Sequence, residues 1–203
     1  MRSLSEIETV SKRASKAAGF SWGVSEEIGK NTRILEMFGL PGIKNLNDYY
    51  KNKKIKKFES LNLINSDNRL VKSQACPIVV GTNFLDQIKT LETLNIIKFE
   101  KIAYPLLFLP FLSRSSEIIG KRLFVKLDEK EFLLNFNNSI YSNFLKNEII
   151  NLAHNISVEF IDNLDQFSEN EWSELYKLSE NTFVEESDSL KQAGAGAGLT
   201  DND

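Results

Sequence analysis

The sequence predicts an α+β fold in which an N-terminal helix pair packs on a mixed, largely antiparallel sheet. A C-terminal helix and a glycine-rich tail follow. Apolar residues recur at helical spacing near both ends of the chain, whereas its middle contains short runs of branched and aromatic residues bounded by turn formers. Helix and strand signals that occupy separate stretches, without regular alternation along the chain, are typical of α+β proteins. With 203 residues, 41% of them apolar and 26% charged, the chain can build a substantial core.

Two short helices open the chain. The first begins where either Ser3 with Glu6 or Ser5 with Glu8 has the spacing of a capping box, and Gly19 ends it. After a turn, the second is expected to start at a cap formed by Ser25, and Gly39 ends it. Together the two helices hide their apolar faces only in part, so we expect them to pack on the rest of the protein.

The body contains the β signal. Six strands are predicted: Cys76 to Val80, Ile96 to Ile102, Leu106 to Phe111, Arg122 to Leu127, Phe132 to Phe136 and Ile156 to Ile161. An acidic turn at 128–129 joins two of them as a hairpin. Helices are predicted at Phe84 to Thr93, Asn143 to Ala153 and Glu169 to Phe183.

This pattern divides the chain into four stretches within one integrated domain. Residues 1–50 form a helical segment, and 51–74 a polar, lysine-rich connection that follows a short helix near Leu46 to Tyr50. Residues 75–191 form the α+β body, and 192–203 a Gly-Ala-rich acidic tail.

Composition restricts the class of partner. A net charge of -3 argues against a nucleic-acid binder, although the lysines between 51 and 57 could attract phosphates locally. The longest apolar run, 103–112, contains two prolines and is too short to span a bilayer. With one cysteine no internal disulfide can form, which favours the cytoplasm.

Cys76 is the candidate nucleophile. A nucleophilic cysteine needs a base nearby, and His154 is the single histidine in the chain. The two could form a dyad. Alternatively, Cys76 is a small buried apolar residue at the start of a strand.

A second candidate site lies at the entrance of the second helix. Trp22 precedes two carboxylates, Glu26 and Glu27. The indole could stack on a ligand that the acids help to bind, or it could pack onto Ile28 or the sheet as a hydrophobic staple.

The tail provides the remaining candidates. Gly194, Gly196 and Gly198 could present backbone N–H groups to an anion, and Asp201 and Asp203 could hold a cation such as Mg²⁺. A solvated acidic end is the alternative. The run lacks the pattern of a phosphate-binding or dinucleotide-binding loop, so the sequence identifies no cofactor.

Four segments carry a resemblance to a known family: 17–29 (AAGFSWGVSEEIG), 76–82 (CPIVVGT), 104–107 (YPLL) and the ending 194–203. On these residues the chain resembles a bacterial family known only as domain of unknown function 3726. The resemblance implies no reaction, substrate or cofactor.

Two functional hypotheses follow. In the first, a cytosolic small-molecule-binding or metabolic protein uses its tail to complete a site with Glu26 or Glu27 and Cys76. In the second, an accessory or interaction subunit docks its tail on a partner or on a symmetry mate. The sequence leaves open whether the protein is an enzyme, and it leaves the oligomeric state open.

Overall fold

The computed structural model describes residues 2–52, 59–70, 73–144 and 148–183. The chain divides into two compact units, Met1–Asn163 and Leu164–Asp203. In the first unit the described helices are α1 (Leu4–Ala17), α2 (Trp22–Met37), α3 (Gly42–Asn52), α4 (Pro77–Leu91) and α5 (Leu109–Ile119). Its strands are β1 (Ile96–Ala103), β2 (Arg122–Leu127), β3 (Lys130–Asn135), β4 (Ser139–Ser142) and β5 (Leu152–Ile161). The second unit contains α6 (Glu169–Glu180). The predicted α+β class is confirmed.

Helix α1 starts at the first of the two predicted caps, where the Ser3 hydroxyl accepts a hydrogen bond from the Glu6 N–H at 3.1 Å. The predicted start of α2 is wrong. Ser21, not Ser25, is its N-cap, and Trp22 is already helical. Ser25 is instead a buried helical residue whose hydroxyl donates to the Ser21 carbonyl at 2.7 Å, a bond that satisfies the hydroxyl inside the helix.

Helices α1 and α2 pack closely. Gly29 permits this approach, since a Cβ at that position would lie 2.8 Å from the backbone oxygen of Glu8. Ion pairs between Lys12 and Glu26 and between Arg33 and Glu8 join the same two helices at their exposed edges. The pair packs through α2 against α4 and α5.

The strand predicted at Cys76 to Val80 is wrong, because these residues begin α4. Cys76 is the N-cap and Pro77 occupies the first turn, where its missing N–H costs nothing. The branched residues that suggest a strand, Ile78, Val79 and Val80, are all buried. A helix buried on most sides carries a continuous apolar run, which periodicity alone cannot distinguish from a buried strand.

The strand predicted at Leu106 to Phe111 is wrong for the same reason. A 3-10 turn, Pro105–Leu107, leads directly into α5, and every residue from 105 to 112 is buried. The helix predicted at Asn143 to Ala153 is also wrong where the structure describes it. Residues 148–150 have no regular structure and Leu152 begins β5.

The five strands form one antiparallel sheet in the order β1-β5-β2-β3-β4. The predicted hairpin between β2 and β3 is confirmed, with Leu127 paired to Lys130 across the turn. Outside β1, Ala75 forms an isolated parallel bridge with Ile102, and the Ala75 N–H donates to the Lys101 carbonyl at 2.8 Å. Strand β4, at the other edge, is four residues long.

The core lies between the helices and one face of this sheet. Helix α4 contacts β1, and α5 contacts β2 and β3. Phe84, Phe99 and Phe108 form an aromatic cluster with ring centroids 5.5–6.2 Å apart. On the other face of the sheet the side chains of β1, β5 and β2 are mostly polar.

Helix α6 carries two N-terminal signals. Ser168 and Glu171 form both hydrogen bonds of a capping box, and the ring of Phe167 stacks on Trp172 with centroids 5.5 Å apart. Among the described residues, none of the helices combines the length and hydrophobicity that crossing a bilayer requires.

Candidate functional site: a polar groove on the open face of the sheet

The structure brings Trp22 and Glu26 to one surface of the α1–α2 pair. The Trp22 side chain is 57% exposed, so it does not act as a buried staple. The ammonium groups of Lys12 and Lys16 lie 5.9 and 5.6 Å from the centroid of its ring. Cations at these distances are attracted to the indole face, so a stacking ligand would have to displace them.

The two predicted carboxylates are engaged within the protein. Lys12 hydrogen-bonds Glu26 and lowers the pKa of that carboxyl. Partial burial alone would raise the pKa of Glu27, but Arg114 and Lys30 outweigh it and the pKa is lowered. Glu27 therefore joins α2 to α5 as a carboxylate. A ligand role for either acid stays a prediction.

Cys76 is half-buried at the start of α4. Its sulfur is 3.0 Å from the hydroxyl oxygen of Tyr49, and burial raises the pKa of the thiol. A nucleophilic cysteine requires the opposite shift. His154, by contrast, lies at an exposed position of β5. These environments favour the reading of Cys76 as a buried apolar residue over the dyad.

Tyr49, which contacts this thiol, forms a polar cluster with Tyr50 and Tyr104, whose ring centroids lie 5.7 and 5.6 Å from its own. Tyr104 donates to a carboxylate oxygen of Asp48 at 2.6 Å, and Tyr50 donates to the Ser15 hydroxyl at 2.6 Å. Burial raises the pKa of all three phenols, so they remain protonated. The cluster fastens α3 to its neighbours.

The tail candidates, Gly194, Gly196, Gly198, Asp201 and Asp203, lie outside the described residues. The predicted metal site there stays a prediction. Within the part of the chain that the structure describes, no three His, Cys, Asp or Glu side chains come together as a metal-binding group.

An open groove of about 420 Å³ lies on the open face of the sheet, and we call it the sheet groove. It crosses β1, β5 and β2, and Leu70 forms one apolar wall. Its polar lining consists of Lys98, Glu100, Lys126, Asp128, Asn155 and Ser157.

Strand register places the basic side chains of the sheet groove in one row across the strands. Ser157 pairs with Lys98 on one side and with Lys126 on the other, so the two lysines flank a hydroxyl. Lys126 binds Glu131 at 3.1 Å and its ammonium lies 5.3 Å from the Phe124 ring centroid. In the described ranges Lys98 forms no ion pair. It is therefore the cation of this row that is available to an anion.

The acidic side chains of the sheet groove lie in the neighbouring row. Asn155 pairs with Glu100, and on its other side the Asp128 N–H donates to its carbonyl at 2.9 Å. The Asp128 carboxylate accepts the backbone N–H groups of His154 and Asn155 at 2.8–3.1 Å, which holds it in place. Glu100 has no ion-pair partner among the residues the structure describes. The groove thus offers a free cation beside a free anion.

Sequence reasoning missed this groove. Lys98 and Glu100 alternate with the buried Ile97 and Phe99, so their outward direction follows from the strand pattern. Their neighbours on β2 and β5 follow only from the strand order, because β5 inserts between β1 and β2 from much later in the chain. The alternation in β1 was the available signal.

The groove and its sheet define an α+β protein with helices on one sheet face and a polar, solvent-facing surface on the other. Residues 2–75 match the family model described as protein of unknown function (DUF3726). The resemblance to that family is thus confirmed over α1 to α3 and the segment that leads to α4. No curated protein and no solved structure matches the chain.

Proposed function

We propose that the protein binds a small zwitterionic molecule in the sheet groove. One observation carries the proposal: Lys98 and Glu100 stand two residues apart on the same face of β1, with opposite charges and no ion-pair partner in the described part of the chain. A molecule with an anionic and a cationic group would satisfy both side chains at once.

The dimensions support a ligand of this kind. Residues two apart in a strand are separated by about 7 Å, which suits a molecule the size of an amino acid or an amino-phosphate. The volume of about 420 Å³ lies within the range of small-molecule sites. Asn155 and Ser157 would add neutral hydrogen-bonding groups between the charged ones.

Composition supports the same class of partner. The net charge of -3 favours a small molecule or a protein over nucleic acid. The single cysteine and the family resemblance are consistent with our placing the protein in a bacterial cytoplasm.

A ligand panel tests the proposal. Calorimetric titration with amino acids, amino-phosphates, dicarboxylates, diamines and neutral amides should yield binding heat for zwitterions only. We expect Lys98→Gln and Glu100→Gln each to weaken the best zwitterion about tenfold. Absence of binding across the panel would refute the proposal.

Matched controls exist for both variants. Glu159→Gln changes an acid of β5 outside the groove lining, and Lys89→Gln an exposed base on α4. Both should leave the affinity unchanged. If they weaken binding as much as the groove variants do, net charge and not the groove explains the affinity.

The tail enters as a second variable. If the tail completes the site, a variant that ends at Lys191 should lose ligand binding while its oligomeric state stays the same. If light scattering instead shows a smaller oligomer and ligand binding persists, the tail is an assembly element, as the interaction-subunit hypothesis predicts.

A further inference from the structure

Helix α6 exposes an apolar surface. Trp172, Leu175 and Tyr176 lie on one side of the helix, and their side chains are 54%, 66% and 52% exposed. Leu178, 65% exposed, borders them. We call these four residues the α6 face. Exposed apolar residues that form a contiguous group mark interaction sites more often than scattered ones do.

The helix is organised before any partner binds. Its capping box and the stacking of Phe167 on Trp172 both fix its first turn. Yet α6 has only 12 residues, a length at which a helix without tertiary packing is marginal in water. A partner that covers the α6 face would supply the missing stabilisation at little ordering cost.

The charges beside this face have one sign. At 3.6 residues per turn, Glu169 and Glu180 border one edge and Glu171 the other. Lys177, the single base of α6, projects from the far side of the helix. Any surface that meets the α6 face therefore meets carboxylates along both edges.

From these observations we infer that α6 docks into an apolar groove of another protein whose edges carry lysine or arginine. Recognition of this helix-in-groove type uses anchors at i, i+3 and i+4, the spacing of Trp172, Leu175 and Tyr176. Complementary edge charges would set the orientation and speed the encounter.

The same charges disfavour two other occupants. In an antiparallel pair of α6 helices, the edge with Glu169 and Glu180 would face the same edge of the second copy, and like charges would repel. An anionic membrane surface would meet the same repulsion from both edges.

Site-specific photo-crosslinking tests the inference. The full chain carries a photoreactive amino acid in place of Leu175, or in place of Lys177 as the control on the far side, and is irradiated in cells of its source. We expect the Leu175 position to cross-link to one protein, at a peptide from an apolar groove with basic edges. Little product should form from the Lys177 position.

Binding of the purified pair completes the test. We expect Leu175→Asp to weaken it about tenfold or more, and Glu169→Gln with Glu180→Gln to weaken it and reduce its salt sensitivity. Lys177→Gln should have no such effect. Cross-links to a second copy or to lipid, equal yields from both positions, no cross-link at all, or an affinity indifferent to the glutamates would each overturn the inference.

Discussion

Gly29 fixes the distance between α1 and α2. A Cβ there would lie 2.8 Å from the Glu8 backbone oxygen and 3.1 Å from the Lys12 Cβ. Backbone cannot move aside as a flexible side chain can, so even one methyl group must separate the helices. Gly23, one and a half turns earlier in α2, has nothing within 4 Å of the same position.

We predict opposite effects for alanine at these two glycines. Gly29→Ala should destabilise the protein by about 1–3 kcal/mol through overpacking. Gly23→Ala should stabilise it by about 0.5–1 kcal/mol, because alanine loses less entropy in a helix. Urea unfolding monitored by circular dichroism measures both. Equal effects of the two substitutions would mean that the helices do not pack closely at Gly29.

The sequence alone could not identify which side chains pair with the predicted site residues. The sequence placed Glu27 at the entrance of the second helix, but α2 begins at Trp22 and its first turn contains no acid. The ion-pair partner of Glu27, Arg114, lies 87 residues later, on a helix whose first residues, 109–111, the sequence assigned to a strand. Without α5 in place, no spacing rule connects the two residues.

At the scale of elements, α3 is held by phenol hydroxyl groups. Tyr49 contacts the Cys76 sulfur on α4, Tyr50 bonds to Ser15 on α1, and Tyr104 reaches back to Asp48. All three phenols have a raised pKa, chiefly because of burial. Their hydrogen bonds therefore depend on retained protons.

We predict that α3 makes the protein sensitive to alkali. Above the ordinary phenol pKa of 10.0, the unfolded chain releases protons that the folded protein keeps, so stability falls as pH rises. The expected loss is about 1.4 kcal/mol per pH unit for each phenol that stays protonated. The contribution of the phenols to stability is fully present below their unfolded pKa of 10.0.

Urea unfolding between neutral pH and about pH 11.5 measures this slope. Tyr50→Phe should make it shallower while it lowers stability at neutral pH by about 1 kcal/mol, the value of a lost hydrogen bond. Phenolate absorbance from the three buried rings should appear together with unfolding. If their absorbance rises while the circular dichroism is still native, the phenols are accessible and the prediction fails.

Helices and strands whose ends carry clear sequence signals were predictable. β2 has the predicted bounds, Arg122–Leu127, and α6 has the predicted start at Glu169. Helices α4 and α5 were missed in whole or in part. They are buried on most sides, so they lack the polar stripe that would have revealed a helical period.

At the scale of the whole molecule, the two units differ in what they bury. Every residue of the buried core lies between Phe20 and Val158, inside the unit Met1–Asn163. The described residues of Leu164–Asp203 contribute none. The first unit therefore contains all the apolar burial that the described structure uses for stability.

We expect a variant that ends at Asn163 to fold by itself, with a cooperative thermal transition within a few degrees of the full chain's. As a control, a variant that ends at Asn151 lacks β5, which pairs with both β1 and β2, and should not fold. Calorimetry of the full chain and of the two shortened variants measures these thermal transitions. A large fall in the melting temperature at Asn163 would show that the second unit is an integral part of the fold.

The sheet groove also depends on long-range order, since its rows exist only because β5 pairs with both β1 and β2. The α6 face, in contrast, depends on one helix and was predictable from local spacing. The groove should disappear with partial unfolding of the sheet, whereas the α6 face needs only its own helix.

The bridge at Ala75 has a consequence for how copies of this protein behave when concentrated. Exposed strand edges recruit other strands, which is a common start of aggregation. Here the outer backbone groups of β1 near Lys101 are already bonded to Ala75, and β4 offers only four residues at the opposite edge. At this end of β1 and at β4 the sheet thus presents little free backbone for another chain to extend, which hinders the growth of β-aggregates at these places.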